Sequence, residues 1–470
     1  MSKQMPNLQF LGATGEVTGS AYLLRTEHST ILLECGMHQG HGADEANEAE
    51  FAFRVADIDA VVLSHAHLDH SGLLPKLVKQ GYRGPIYMTR ATHDLVDIML
   101  HDAAYLQMKD TEWENKQRQR AGKPTVEPLY TEHDVEETLK LRQTVEYRKP
   151  LDISRDVTLQ YHDAGHILGS AIVELLIKQG EQQRRLVFSG DLGNANHPLL
   201  QDPEILERAD ILLLESTYGD RNHRDYDSTV EEFQQALQAA DEAGGNVLIP
   251  SFAVGRTQEV LFWLGKFHRQ GRLPQQQIFL DSPMAIAAGE IYFRYLHLFN
   301  DEDARAFRET AHHKWEEWLP NLRCTRETEE SIQINSIQGG AIIIAGSGMC
   351  TGGRIRHHLK NNLWKNNAHL IIVGFQAAGT LGRALVDGKR NVTIMGREIA
   401  VKANIHTLGG FSAHADQQQL LDWAGHFQKP RPRLYLVHGE PEKMEALQEQ
   451  LRTRFDWEAM IPAYKEKIKL

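Results

Sequence analysis

The sequence predicts an α/β protein: an αββα sandwich interrupted by an inserted α/β domain that is built on a mostly parallel sheet. Three observations predict it. Up to residue 209, short β patterns joined by Gly-rich turns mix with helical patterns that carry a charged face. Across 210–403, continuous apolar runs alternate with helical stretches, as βαβ units require. Short strands return near 391–408, and a segment from 404 to 470 completes the first domain.

The elements follow in order. "NLQFLGA", "GSAYLLRTE", "STILLECG" and "DAVVLSH" read as antiparallel strands. Residues 91–145 switch to helical periodicity, in "THDLVDIMLHDAAYLQMKDTEWENKQRQ" and again in "TEHDVEETLKLRQTVEY" after Pro124 and Pro128. "VTLQYHDAG", "SAIVELLIKQ" and "RRLVFSGDLG" are strands again. In the insertion, the apolar run "ADILLLEST" reads as a strand buried on both faces, and the alternation runs on through "NVLIPSF", "QIFLDSP", "GGAIIIAGSG" and "AHLIIVGFQ". The helix "DQQQLLDWAGHF", the strand "RLYLVHG" and the helix "EKMEALQEQLRTRF" follow near the end. No internal repeat and no low-complexity linker interrupts the chain.

With 470 residues and 41% hydrophobic content, two or three domains with sizeable cores are expected. Cys35, Cys324 and Cys350 are scattered and form no CxxC pair, which suits a reducing cytosol. The N-terminal stretch has no signal-peptide pattern, and no run approaches the roughly 18 apolar residues of a membrane span. A cytoplasmic protein without a membrane partner is therefore expected; homo-oligomer formation stays open. The net charge of −12 argues against a whole-body field that attracts nucleic acid. A local basic groove remains compatible, because residues 341–402 hold nine Lys/Arg against two Asp/Glu.

"LSHAHLDHSG" sets His65, His67, Asp69 and His70 where a strand runs into a helix. Imidazole and carboxylate are ligands that Zn²⁺ accepts. The strand period of two lets His65 and His67 point to one side, and Asp69 and His70 follow on the turn. Other strand ends offer His166 in "DAGHILGSA", Asp191 in "LVFSGDLGN" and His438 in "LYLVHGE". Each of these alone is a weak signal, since a strand-end His or Asp is more often a cap. Together they make a set of seven ligands, in which a shared carboxylate could bridge two metal ions and support hydrolysis by an activated water.

At this point the chain resembles a known family, the metallo-β-lactamase fold and, within it, the β-CASP nucleases. "LLECG", "SHAHLDH", "GHILGS" and "SGDLG" match that family's metal motifs, and "LLLESTYGD", "FSAHAD" and "LVHGE" match its additional ones. The likeness covers essentially the whole chain and is greatest to the endonuclease subunit of the cleavage and polyadenylation specificity factor and its shorter prokaryotic relatives. The resemblance implies two zinc ions per chain. His65, His67 and His166 would hold one, Asp69, His70 and His438 the other, and Asp191 would bridge them. It makes His414 and Glu215 catalytic, with Asp69 serving as both ligand and catalytic carboxylate. Glu34 stands where many relatives carry Asp, at a position that orients ligands, so whether that hydrogen bond forms at the longer reach is open. His438 favours RNA over DNA, because DNA-processing members usually carry valine there.

The chemistry of these residues points the same way. A metal-activated hydroxide attacking a phosphodiester builds charge on the non-bridging oxygens, and the leaving alkoxide needs a proton. His414 as an imidazolium could give that proton, with Glu215 favouring the charged form. Two Gly-rich strand-to-helix turns suit phosphates: one with Ser251, Gly255, Arg256 and Thr257, the other with Ser347, Gly348, Thr351, Gly352, Gly353 and Arg354. Ser282, Pro283 and Arg383 are weaker candidates. The expected function is a zinc-dependent ribonuclease acting on single-stranded RNA, endonucleolytic, leaving 5′-phosphate and 3′-hydroxyl ends. A 5′–3′ exoribonuclease is the alternative on the same site. A small-molecule ester or thioester hydrolase and an RNA-binding scaffold without metal compete less well.

Overall fold

The computed structural model describes residues 6–40, 42–195, 198–300, 304–377 and 379–470. The chain divides into two compact units. The first comprises 1–195, 202–222 and 414–470, and the second 196–201 and 223–413.

The first unit is built on two seven-stranded sheets. In one, Asn7–Phe10, Tyr22–Arg25 and Thr30–Leu33 pair antiparallel, as the sequence indicated. The strand Ala60–Val62 departs from that expectation and pairs with Thr30–Leu33 in parallel, followed by Ile86–Met88 and Arg142–Thr144. The second sheet is centred on Val157–Asp163, Ala171–Gln179, Gln182–Phe188, Ile211–Glu215 and Arg433–Val437. Inward residues of both sheets share one core, with Leu8, Tyr22 and Val62 from the first meeting Leu159, Val173, Phe188 and Leu213 from the second. The alternate residues of the second sheet, such as Val187, Leu212 and Leu434, pack with Leu421 and Leu447 of the helices Gln417–Gly425 and Pro441–Phe455. The helix Glu132–Leu139 packs against both Leu74–Lys79 and Arg90–Arg120 in the same unit. The longest, Arg90–Arg120, starts where the Thr89 side chain accepts from Thr92 N, a cap worth about 1 kcal/mol.

The second unit carries a six-stranded sheet in which every pair is parallel, and a two-stranded hairpin, Asn391–Ile394 with Arg397–Ala400. Its strands are buried runs such as Val247–Pro250 and Ala341–Ala345, matching their continuous apolar sequence.

The expected boundaries at 210 and 404 need correction. The run Ile211–Glu215 does not open the insertion; it lies between Gln182–Phe188 and Arg433–Val437, parallel to both, in the second sheet of the first unit. A strand parallel to both neighbours and buried on both faces has the same apolar pattern in either sheet, so sequence alone misplaces it. At the other end, Asn404–Thr407 is an edge strand of the second unit's sheet, which moves the return to residue 414.

Candidate metal centre

All nine residues proposed as ligands or catalytic groups lie in the first unit; eight of them follow or end its strands, and His414 stands just before the helix Gln417–Gly425. The strand Ala60–Val62 delivers Ser64, His65 and His67, and the short helix Leu68–Ser71 adds Asp69 and His70. Asp191 follows Gln182–Phe188, Glu215 ends Ile211–Glu215, and His438 follows Arg433–Val437. Parallel neighbours end on the same side of a sheet, which brings these three together although they are far apart in sequence. Gly193 lets two loops touch. Its N–H donates to Ala164 O at 2.7 Å, and a Cβ there would sit 2.0 Å from Gly165 O. The loop carrying His166 is thus held against the one carrying Asp191.

Donor atoms of His65, His67, His166 and Asp191 lie within 4.8 Å of one another, and so do those of Asp69, His70 and His438. Asp191 is the hub. Its Oδ2 is 3.6 Å from His65 Nε2, 3.7 Å from His166 Nε2 and 3.4 Å from His70 Nε2, while Oδ1 is 3.3 Å from His438 Nδ1. Asp69 Oδ2 is 3.6 Å from His438 Nε2.

These residues fit divalent cations. His70 Nε2, Asp191 Oδ1 and His438 Nε2 are buried and make no hydrogen bond, an arrangement that costs stability unless something else binds them. Burial lowers the pKa of His65 and of His67, leaving their imidazoles neutral and able to donate a lone pair. Burial opposes ionisation of Asp69, but His70 and His438 overcome it and bring its pKa down to about 2. Neutral imidazoles and ionised carboxylates are the states a metal ligand must have. His70 differs: burial lowers its pKa, but Asp191 and Asp69 raise it overall, so it must release a proton when a cation takes its Nε2.

Glu34 does form the hydrogen bond that its extra methylene put in question. The side chain is fully buried and accepts from Ser64 N at 2.6 Å, from Ser64 Oγ at 2.9 Å and from His70 Nδ1 at 2.5 Å. Its backbone lies in the left-handed region, at φ 62°, and the longer side chain reaches both partners from there. Ser64 Oγ in turn meets His65 Nδ1 at 3.0 Å, so one carboxylate orients His70 directly and His65 through a hydroxyl. Ser64 was missed in the sequence, as was Thr217, whose Oγ1 is 3.2 Å from His438 Nδ1. A small hydroxyl beside a ligand carries no signal of its own.

His414 Nδ1 is 3.3 Å from Glu215 Oε1 and 3.9 Å from Asp191 Oδ2. Glu215 is fully buried and held by N–H groups of Leu192, at 2.8 Å, and Thr217, at 3.1 Å. Burial alone would lower the pKa of His414, yet Glu215, with help from Asp191, raises it overall. Its side chain keeps 22% exposure, whereas those of His65, His70 and His166 keep 0–1%. It is the member of the cluster that bulk solvent reaches while it stays hydrogen-bonded to a carboxylate.

The expected phosphate-binding residues all lie in the second unit. Thr257 Oγ1 donates to Phe252 O at 2.7 Å and meets Ser251 Oγ at 3.0 Å, and both side chains are almost fully buried. Arg256 is 6% exposed and ion-paired with Glu259. In the second turn, Gly352 N donates to Ser347 Oγ at 3.1 Å, and Ser347 Oγ is 3.4 Å from the Oγ1 of exposed Thr351. A Cβ on Gly348 would lie 2.6 Å from the ring of Phe252, so that glycine serves close packing. Arg354 donates to Asp281 Oδ1 at 2.7 Å, to Thr325 O at 3.1 Å and to Arg326 O at 2.7 Å. The two arginines expected to grip phosphate are therefore engaged inside the protein. Of the weaker candidates, Ser282 caps the helix Pro283–Arg294, and Arg383 pairs with Asp387 at 2.8 Å.

Asp281 is the centre of that second network, also accepting from Thr325 Oγ1, Ser331 Oγ and His358 Nε2 at 2.6–2.7 Å. Burial opposes its ionisation, but these partners hold its pKa well below the usual carboxylate range. A depressed carboxylate contributes its full stability above its unfolded-state pKa, near 4, and that contribution is lost progressively as pH falls from there through its lowered folded-state pKa. Asp281→Ala is expected to destabilise the protein by about 3–5 kcal/mol at pH 7 by leaving Arg354 unpaired. In urea titrations the difference from the parent should shrink towards pH 3; a difference independent of pH would contradict this account.

The family model described as the metallo-beta-lactamase superfamily matches residues 14–251. The chain belongs to this superfamily. A Beta-Casp domain follows at 257–385, and a Zn-dependent metallo-hydrolase RNA specificity domain at 398–462. Among relatives, Ribonuclease TTHA0252 of Thermus thermophilus is 43% identical over 444 residues, 94% of this chain and 95% of that one. Transcription termination factor FttA of Cenarchaeum symbiosum is 34% identical over 481 residues, 99% of this chain and 71% of that one. A crystal structure of a protein of unknown function from Enterococcus faecalis V583 shares the fold, with a TM-score of 0.55 at 13% identity, covering 99% of this chain and all of that one. As a β-CASP member of the metallo-β-lactamase superfamily, the protein is a metal-dependent hydrolase. Among its described residues, no helix is long and apolar enough to cross a membrane.

Proposed function

We infer that the protein is a zinc-dependent ribonuclease that cuts single-stranded RNA internally and leaves 5′-phosphate and 3′-hydroxyl ends. One observation supports this reading above all: His414 and Glu215 converge on the two ligand groups through Asp191. A lactamase-type metal core alone does not need that pair. The names of the relatives, a ribonuclease and a transcription termination factor, and the RNA specificity domain give the substrate class.

Two zinc ions, when bound, would supply a water of lowered pKa and offset charge on the phosphoryl oxygens. His65, His67 and His166 would hold one ion, Asp69, His70 and His438 the other, with Asp191 shared. Glu34 and Ser64 keep His70 and His65 aimed. Glu215 fixes the orientation of His414 and favours its imidazolium. His414 then gives its proton to the 3′ oxygen as the bond from that oxygen to phosphorus breaks; the oxygen from water stays on phosphorus, which yields the 5′-phosphate. Asp69, adjacent to the same centre, takes part as an acceptor as well as a ligand.

The experiment is product mapping on RNA labelled at the 5′ end, with parent and His67→Ala protein side by side. Internal fragments bearing 3′-hydroxyl ends are the expected result, and His67→Ala should make none. Mononucleotides released stepwise would replace the internal cut by 5′–3′ exonucleolysis. Equal cutting by His67→Ala would sink the metal-centre reading.

A further inference from the structure

A cavity of about 440 Å³ lies in the first unit at the opposite end of the second sheet from the metal centre. Asp210 at its rim immediately precedes the strand Ile211–Glu215, and at roughly 3.3 Å per residue Glu215 is about 16 Å away. The cavity therefore shares no residue with the proposed catalytic machinery.

Its lining carries Arg185, Arg208 and Lys429 against one carboxylate, Asp210. That carboxylate is already engaged, accepting from Arg185 N at 2.7 Å and lying 3.5 Å from Arg184 Nη1. Arg185 is paired with Glu174 at 3.1 Å, so its charge is partly met. Arg208 and Lys429 are exposed, and neither has an anionic partner among the described residues. The lining itself is net positive in a chain of net charge −12, with Glu174 and Glu207 at its edge engaged by Arg185 and Gln428, and positive charge in a concavity attracts anions. An anion relieves the mutual repulsion of the cations. A guanidinium matches the paired oxygens of a phosphate, and Lys adds a point charge. The volume exceeds that of a bare phosphate and lies within the range of small-molecule sites, and Leu176 and Pro430 give an apolar wall for the rest of the ligand.

We propose that this cavity binds the phosphate of a nucleotide, free or carried at the end of an RNA strand. The first arm of the test is independent of the ribonuclease reading. Isothermal titration of the metal-loaded protein with adenosine monophosphate should show a class of site that Arg208→Glu/Lys429→Glu weakens at least tenfold. Arg208→Lys/Lys429→Arg, which keeps both charges, should stay within threefold of the parent. Hydrolysis of a dinucleotide, too short to reach the cavity from the metal centre, should not change in either variant. An unchanged isotherm in the charge-reversed variant overturns the proposal. Where the site is confirmed, the KM of a 12-nucleotide RNA separates the sources: a rise of fivefold or more in the charge-reversed protein assigns an RNA end, and an unchanged KM assigns a free nucleotide. A protein that cuts no RNA at all would overturn the ribonuclease reading and leave the titration to decide this one.

Discussion

His414→Ala is expected to slow RNA cleavage by about 10²–10⁴-fold, the usual range for removing a general acid, with the metal content unchanged. The ring touches Glu215 at 3.3 Å and is not needed to complete either ligand group, since three imidazoles and Asp191 form one and Asp69, His70 and His438 the other. Zinc measured by atomic emission, alongside single-turnover cleavage, separates the two roles. If the variant loses metal in proportion to rate, His414 is a ligand and not a proton donor. A substrate whose leaving oxygen needs no proton, such as a nitrophenyl phosphodiester, should be spared most of the loss. Glu215→Gln should follow the same pattern more weakly, because it removes the charge that favours the imidazolium while keeping an acceptor.

Asp191→Ala should have the larger effect on the metal. Its Oδ2 lies 3.4–3.7 Å from His65, His166 and His70, and its other oxygen lies 3.3 Å from His438. Removing it takes a ligand from both proposed sites at once. The expected outcome is loss of at least one of the two ions and a rate reduced by roughly 10³-fold or more, since the activated water is lost with them. Asp69→Ala provides the contrast: it touches only the second group and should spare the ion held by His65, His67 and His166. Retention of both ions by Asp191→Ala would remove it from the bridging role. Circular dichroism should remain that of the parent, because the two cores of the first unit do not include the side chain.

How much of this could be read beforehand depends on distance along the chain. His65, His67, Asp69 and His70 crowd into six positions, and only a metal explains such crowding easily. His166, Asp191 and His438 are single residues at strand ends, and they become ligands only once parallel strands place their ends side by side. Glu215 and His414, 199 positions apart, were legible through family resemblance alone. The pairing of Arg354 with Asp281 was illegible because a sequence does not show which anion a distant arginine will meet. Arg256 is different: Glu259 stands one helical turn on, a spacing at which the ion pair could have been anticipated. The misplaced strand Ile211–Glu215 shows the limit of hydropathy, which reports burial and not the sheet that provides it.

The placement of His438 late in the chain has a bearing on how the protein is made. Synthesis proceeds from the N-terminus, and domains fold as they emerge. The motif at His65–His70 exists early, but Glu215 cannot meet His414 until the whole insertion between them has been synthesised, and the second ligand group waits longer, for His438. Closing a loop of that length costs chain entropy, which a folded insertion holding its two ends together would reduce. A nascent chain still attached to its messenger therefore carries an incomplete metal centre until residue 438 has been made.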